Sequence, residues 1–415
     1  MPIPISAELT DLIIDAIDNS ECETLQQISL VSKLWRPRSQ YKLFSKTINL
    51  VHPGARHRCG TQWSGTRRAL LSYVLEFLKI ARGSRTISSA VRGLVIPDVA
   101  LNQSFPFDGL RKLEVAFIAD QESMLGSLIS DLDLVSRGHP VRRAYTGAFP
   151  REIVLQNPRL QQLMLTNMVL DEAVMLSMFQ ALGADKECSS LSVLGLNACH
   201  FTSRSPSVRR EPHRVNFRDL TLVIGDMDNA DAFVDAFDIQ GLRSLCFATD
   251  VCPEMCANVI NKHCSQLQRI TFLDLPCCVA PGLANIHYDR LQSLRELYIT
   301  STFFHHNLSG HDTASYLIGK IAEAPSIPLE TIGLPANSVL SNNSTRIDGA
   351  LTKLAEAKAC SLKEIVFRWE TELERLSKSV DERLPNAAST DLLVMVSGEH
   401  DGYMAPASFS LELSV

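Results

Sequence analysis

Residues 294–299 read LRELYI, and this stretch represents the pattern that governs most of the chain. Leu297 and Ile299 are two residues apart, so they share one face of an extended strand. A helix-like stretch follows at 311–324 (HDTASYLIGKIAEA), and the motif returns as LETIGL at 329–334. This alternation of strand and helix predicts an α/β fold in which successive strands are parallel.

The motif, apolar-x-x-apolar-x-apolar, occurs ten times, and from the third copy onward the starts are roughly 25 to 35 residues apart. That spacing overlaps the period of leucine-rich repeats and also runs longer. A single unit cannot bury its own apolar face, so neighbouring units must stack. We therefore predict that residues 91–415 form an irregular leucine-rich-repeat-like solenoid, with helices on one side and strands lining a concave surface. The copies begin at Val91, Leu110, Leu160, Leu191, Phe217, Leu242, Leu267, Leu294, Leu329 and Leu362.

The side chains that alternate with the buried positions are predicted to face outward from the concave surface. Glu296, Tyr298, Glu364 and Arg368 are the candidate substrate-binding residues on this ground. The concave positions are mixed in charge, so they favour neither nucleic acid nor an acidic peptide as the target. The pattern therefore leaves the target unidentified.

Three connecting segments carry separate predictions. The polar, Pro-containing stretch 201–217 is predicted to be a mobile surface loop. Residues 228–241 have a helix-like pattern, and SFSLELSV (408–415) alternates like a strand that would close the last edge of the solenoid.

The first 45 residues carry a different pattern. Apolar residues recur at helical spacing in 8–17, 22–31 and 32–44, which predicts three short helices. A unit this short can form only a marginal core, so part of its apolar surface is expected to be buried by a partner. Residues 46–90 are predicted to be a linker with an amphipathic connecting helix over 66–81.

This opening resembles the F-box, in particular the F-box-like form of fungal proteins. The family pattern has a Glu-Leu start, a helix with Leu and Ile positions, and a Ser-Leu-Val-x-x-x-Trp helix followed by basic residues. The chain departs from it at Ile5-Ser6, where the family has Leu-Pro. The matching residues are Glu8, Leu9, Leu12, Ile13, Ser29, Leu30, Val31, Trp35, Arg36 and Arg38.

The resemblance implies a substrate-receptor subunit of a cullin–RING ubiquitin ligase. The F-box would dock on the ligase adaptor protein, and the repeats would bind a protein substrate for ubiquitination. One alternative is that the six residues named below are all simply core residues of this unit. Another is a scaffold protein whose degenerate F-box recruits no ligase. The residues expected to share core and adaptor-binding roles are Leu9, Leu12, Ile13, Ile28, Val31 and Trp35.

The bulk composition indicates an intracellular protein, cytoplasmic or nuclear, with no cofactor. The formal net charge is −6, without the basic excess expected of a nucleic-acid-binding protein, and no stretch has the length of a membrane span. The eleven cysteines are interpreted as reduced, mostly core residues, and the N-terminal sequence lacks the long apolar segment of a secretory signal.

No enzyme motif is present in the sequence: there is no phosphate loop, no HExxH and no GxSxG. We therefore expect no catalytic residues and no enzymatic activity. The one cluster that suggests zinc is better explained by buried thiols, because Cys256, His263 and Cys264 fall in an apolar helical pattern and Cys277 and Cys278 are adjacent.

Overall fold

The computed structural model describes the following residues: 7–17, 22–31, 33, 35–45, 47–50, 67–97, 100, 103, 105, 107, 110–116, 156–157, 159–166, 168–182, 190–197, 199–203, 211–225, 227–247, 253–273, 280–299, 309–335, 344–358, 361–369, 382–390 and 392–397. Internal contacts divide them into two compact units, one holding the described residues up to 191 and the other holding those from 192 onward.

The first unit contains helices and short parallel strands. Strands β1 to β4 pair in chain order, each parallel to the next. The helices are α1 (Ala7–Ala16), α2 (Cys22–Val31), α3 (Arg36–Phe44), α4 (Arg67–Gly83), α5 (Arg85–Ala90) and α6 (Glu172–Ala181). The strands are β1 (Thr47–Asn49), β2 (Gly93–Pro97), β3 (Lys112–Ala116), β4 (Gln162–Thr166) and β5 (Val169–Asp171).

The second unit is built on a parallel sheet in the order β6-β8-β10-β11-β12-β13-β14-β15, while β7 pairs with β9. Its strands are β6 (Val193–Asn197), β7 (Cys199–Thr202), β8 (His213–Ile224), β9 (Met227–Asp228), β10 (Phe237–Phe247), β11 (Arg269–Phe272), β12 (Glu296–Ile299), β13 (Thr331–Pro335), β14 (Glu364–Trp369) and β15 (Leu393–Ser397). Its helices are α7 (Ala230–Ala236), α8 (Pro253–His263), α9 (Ala280–Leu283), α10 (Ser309–Glu323), α11 (Ser344–Ala357) and α12 (Pro385–Ala388).

The ten copies of the apolar motif form the strands and their core. Each copy runs into one of β2, β3, β4, β6, β8, β10, β11, β12, β13 or β14, and each of its three apolar side chains is at most 5% exposed. Burial of the second and third positions together confirms that they share the covered face. The α/β class and the parallel pairing of successive strands are therefore confirmed within each unit.

Two connecting segments differ from their predictions. Phe201 lies in β7 and residues 213–217 lie in β8, so the prediction of a loop over 201–217 is wrong at both ends. The predicted helix over 228–241 ends at Ala236, and β10 begins at Phe237. The physical reason is aromatic burial: the rings of Phe201, Phe233 and Phe237 pack with centroids 5.4 to 6.1 Å apart, which fixes both segments in the core. The stretch 408–415 lies outside the described residues.

A bulge joins β8 and β10 at Gly241. Its φ is +76°, and a Cβ at this position would lie 1.9 Å from the carbonyl oxygen of Phe217, so only glycine fits. The side chain of Gln266 holds the bulge, because its amide donates to the Ile239 carbonyl oxygen (2.9 Å) and accepts from the Gly241 N–H (3.0 Å). The same amide nitrogen lies 3.2 Å from Nδ1 of His263.

Candidate functional site

Helix α1 exposes one apolar face and buries another. Thr10 and Ile14, one turn apart, are 1% and 0% exposed and pack inward. Leu9, Leu12 and Ile13 lie at positions i, i+3 and i+4 on a different face and are 50%, 65% and 40% exposed. A ten-residue helix thus presents three large aliphatic side chains to solvent, and we call this the α1 apolar face.

The structure separates the six predicted adaptor-binding residues. The alternative that all six are core is wrong for Leu9, Leu12 and Ile13, because Ile14 of α1 and Leu25 of α2 fill the interior instead. Ile28 in α2 and Trp35, just before α3, are half-buried, so they contribute to both interior and surface. Val31 is the last residue of α2.

One exposed residue was missed by the sequence reasoning. Leu30 in α2 is 77% exposed, the most exposed of the large apolar side chains among the described residues. The available signal was its place in the Ser29-Leu30-Val31 triplet, which carries the F-box resemblance.

Polar contacts hold the three short helices together. The guanidinium of Arg38 in α3 donates two hydrogen bonds to the Asp15 carboxylate of α1, at 2.8 and 2.6 Å. This bond from Arg38 lowers the pKa of Asp15. The ammonium of Lys42 donates to the carbonyl oxygens of Ile14 (3.0 Å), Asp15 (2.8 Å) and Ile17, so it caps the C-terminal end of α1.

Helix α3 starts later than predicted. It begins at Arg36 rather than Ser32, with Trp35 as its N-cap residue and Pro37 in its first turn. Proline is tolerated there because the first-turn N–H groups have no partner within the helix. Arg36 donates from Nε to the Ser29 carbonyl oxygen of α2 (3.2 Å), so the basic residues after Trp35 have structural contacts.

On the strand face of the second unit, one oxygen of Glu296 accepts two hydrogen bonds and also forms an ion pair with Arg269. Arg269 donates to Oε2 from Nε (2.6 Å) and lies 2.5 Å from it at Nη2, and the hydroxyl of Tyr298 donates to the same atom (3.2 Å). The guanidinium carbon of Arg269 also lies 5.7 Å from the centroid of the Tyr298 ring.

The prediction that Tyr298 faces an open surface is wrong. Its side chain is 1% exposed, because it packs among its cross-strand neighbours Thr271 and Gly333 beneath Arg269. Burial, reinforced by the Glu296 carboxylate, raises the pKa of the Tyr298 hydroxyl, so it stays protonated. It can donate a hydrogen bond to Glu296 but offers little surface to a ligand.

The other two candidates, Glu364 and Arg368, both lie on β14. Glu364 is half-buried and accepts a hydrogen bond from the Thr331 hydroxyl at 3.0 Å. Arg368 is in β14, in register with Pro335 and separated from Glu364 by four residues along the strand. Among the four predicted substrate-binding residues, the structure thus joins Glu296 to Tyr298 directly and gives Glu364 an internal partner on another strand.

The residues that suggested zinc are buried in or beside α8. Cys256, His263 and Cys264 are 4%, 3% and 8% exposed, whereas Cys277 and Cys278 lie outside the described residues. Burial, with the nearby Lys262 charge, lowers the pKa of His263 to about 4, against a weaker opposing effect of Asp238. The described part of the chain brings no three His, Cys, Asp or Glu side chains into a metal-binding group.

Comparison with known proteins adds no relative. No protein-family model matches the chain, and no curated protein matches it. Within the described residues, every helix is too short or too polar to cross a membrane.

Proposed function

We propose that this chain is a substrate-receptor subunit of a cullin–RING ubiquitin ligase. In this proposal, α1, α2 and α3 form an F-box-like unit that docks on the ligase adaptor, and the strand–helix units form a leucine-rich-repeat-like solenoid that binds the target protein. The chain contributes tethering rather than a catalytic step, because holding the target near the ligase raises the rate of ubiquitin transfer. Its place of action would be the cytoplasm or the nucleus.

The observation that carries the proposal is the α1 apolar face. Complete burial of an aliphatic side chain contributes about 1.5 to 3 kcal/mol, and Leu9, Leu12 and Ile13 are still 40 to 65% exposed, so about half of that free energy remains to be gained at each residue. A partner helix that covers this face would recover that free energy, and apolar helix faces are common anchors in helix-mediated binding. The F-box resemblance of the same residues identifies the ligase adaptor as that partner.

The solenoid part of the proposal is supported by the regularity of the strands. Successive motif strands pair in parallel and in chain order within each unit, and helices α8, α10 and α11 intervene between them. Consecutive strand–helix units that pair only with their neighbours are the defining property of solenoid proteins.

Co-purification with the ligase adaptor tests the docking proposal. Leu12→Asp places a carboxylate on the α1 apolar face, and Ile80→Asp is the matched control, because Ile80 is an aliphatic residue of α4 that is 54% exposed. We expect Leu12→Asp to abolish co-purification and Ile80→Asp to preserve it. Circular dichroism of both variants should match wild type, since neither side chain is buried.

Two outcomes would overturn the proposal. Binding that survives both Leu12→Asp and Leu9→Asp would show that α1 does not dock on the adaptor. Adaptor binding without ubiquitination of any co-purified protein, in a reconstituted ligase reaction, would favour a scaffold over a substrate receptor.

A further inference from the structure

A row of polar and basic side chains crosses the second unit's sheet at the level where β11 to β14 begin. Strand β10 starts earlier and passes through this row. From the Leu242 copy onward, the residue after the first apolar position lies there, one residue before the strand-face row that contains Arg269, Glu296 and Glu364. We group this row with Arg218, which lies in the adjoining bulge of β8, and the group contains four cations and one carboxylate. Its members, which we call the basic edge, are Arg218, Arg243, Gln268, Arg295, Glu330 and Lys363.

Backbone hydrogen bonds fix the order and spacing of the basic edge. The N–H of Gln268 donates to the Arg243 carbonyl oxygen, that of Arg295 to Gln268, that of Glu330 to Arg295, and that of Lys363 to Glu330, at 2.7 to 2.8 Å. Neighbouring strands are about 4.8 Å apart, so these five residues span about 19 Å. Arg218 is not in register with this row: it lies in the bulge of the neighbouring strand β8, near Gly241, and the register partner of Leu242 is Leu220. An extended peptide of about six to seven residues is long enough to span the five hydrogen-bonded residues of the row.

The two ends of the basic edge differ in how their charges are satisfied. Arg295 lies 2.5 Å from Glu330, and Lys363 also pairs with Glu330, yet their side chains remain 59% and 70% exposed. The guanidinium groups of Arg218 and Arg243 have no hydrogen-bond or ion-pair partner among the residues that the structure describes. One carboxylate thus serves two cations, and two further cations are available to a ligand.

We infer that the basic edge binds an extended acidic segment of a protein. Carboxylates spaced along a single extended chain can pair with Arg243 and Arg218 and then reach Arg295 and Lys363, while the exposed amide of Gln268 supplies a neutral donor between them. A nucleic acid fits less well. The basic strip is narrow, Glu330 lies within it, Asp219 and Glu364 adjoin it, and the chain carries a net charge of −6.

The strand-face row is a poorer site for such a ligand. Glu296 is occupied by Arg269 and Tyr298, and Glu364 by Thr331, so its polar groups already have internal partners. Binding of an acidic segment at the basic edge does not require a ligase. Under the proposed function, the protein that carries this segment would be the ubiquitination target, and only that statement rests on the proposed function.

Fluorescence anisotropy with the full-length protein tests the inference. The probe is a fluorescein-labelled decapeptide of alternating Glu and Ser, and its counterpart with Gln in place of Glu is the ligand control. Arg218→Gln/Arg243→Gln removes the two cations that have no side-chain partner in the described part of the chain. Lys79→Gln/Arg85→Gln is the matched variant, since both of those residues are exposed on helices of the first unit.

We expect the Glu peptide to bind, the Gln peptide not to bind, and the affinity to fall as salt is raised from 50 to 300 mM. The Arg218/Arg243 variant should lose between about twofold and about thirtyfold in affinity, because two exposed charge pairs with the peptide are lost. The Lys79/Arg85 variant should bind as wild type does.

Three results would overturn the inference: no salt-sensitive binding of the Glu peptide at millimolar protein, an equal loss in both variants, or tighter binding of a single-stranded oligothymidine that the Arg218/Arg243 variant also loses. Adaptor co-purification is measured separately, so failure of peptide binding is distinguishable from failure of the docking proposal.

Discussion

Acidification should destabilise the second unit through His263. This side chain is 3% exposed, and its Nδ1 lies 3.2 Å from the amide nitrogen of Gln266, which donates to it when the imidazole is neutral. The pKa is about 4 in the folded chain and about 6.5 when unfolded. The unfolded chain therefore binds more protons between these two values, so stability is full above about pH 6.5 and falls as the pH approaches 4.

The size of the effect follows from the two pKa values. Between pH 7 and pH 5, proton binding to the unfolded form alone lowers the free energy of unfolding by about 2 kcal/mol. Protonation also removes the acceptor for Gln266, the residue that holds the Gly241 bulge. Lys262 and Asp238 are the charged groups that act on His263, and they have opposite effects on its pKa.

Urea denaturation followed by circular dichroism at pH 7 and pH 5 measures this loss. Other groups titrate over the same range, so the informative quantity is the difference between wild type and His263→Gln. We expect the variant to lose about 2 kcal/mol less than wild type between the two pH values, because glutamine does not titrate. Equal losses in the two proteins would refute the reasoning.

Three further substitutions test individual contacts. Gly241→Ala should lower the free energy of unfolding by at least about 2 kcal/mol, because the new Cβ would meet the Phe217 carbonyl oxygen at a positive φ; an unchanged urea midpoint would contradict this. Asp348→Ala should cost about 2 kcal/mol by the same assay, since its buried carboxylate accepts from the Ala387 N–H at the start of α12 (2.8 Å); full stability would mean that this cap is dispensable. Lys42→Met should cost about 1 kcal/mol by removing the cap of α1, and it should speed amide hydrogen exchange in α1; unchanged exchange there would exclude a capping role.

The strands could be predicted from the sequence because their signal is local. In a copy such as Leu294, Leu297 and Ile299, the spacing alone gives the buried face, and every copy is buried as expected. The end of α7 at Ala236 could not be predicted in the same way. It depends on packing of Phe237 against Phe201, which lies 36 residues earlier in the chain.

The candidate sites were predictable in kind but not in detail. Helix α1 has apolar residues around most of its circumference, so its own sequence does not decide whether Ile14 or Leu12 turns inward; packing against the other helices decides it. Tyr298 was expected at the surface because strand alternation places it opposite the Leu297 core. In the structure, Arg269 of β11 lies over the Tyr298 ring of β12. The sequence pattern of β12 alone does not show that β11 pairs with it.

Hydrogen–deuterium exchange of the chain with and without the ligase adaptor tests the central claim most directly. We expect slower exchange in α1 and α2 when the adaptor is present, because covering Leu9, Leu12, Ile13 and Leu30 would restrict the opening of both helices. We also expect unchanged exchange in α10 and α11 of the second unit. Adaptor binding that leaves α1 and α2 unprotected, or that protects only the second unit, would contradict docking of the adaptor on α1 and α2.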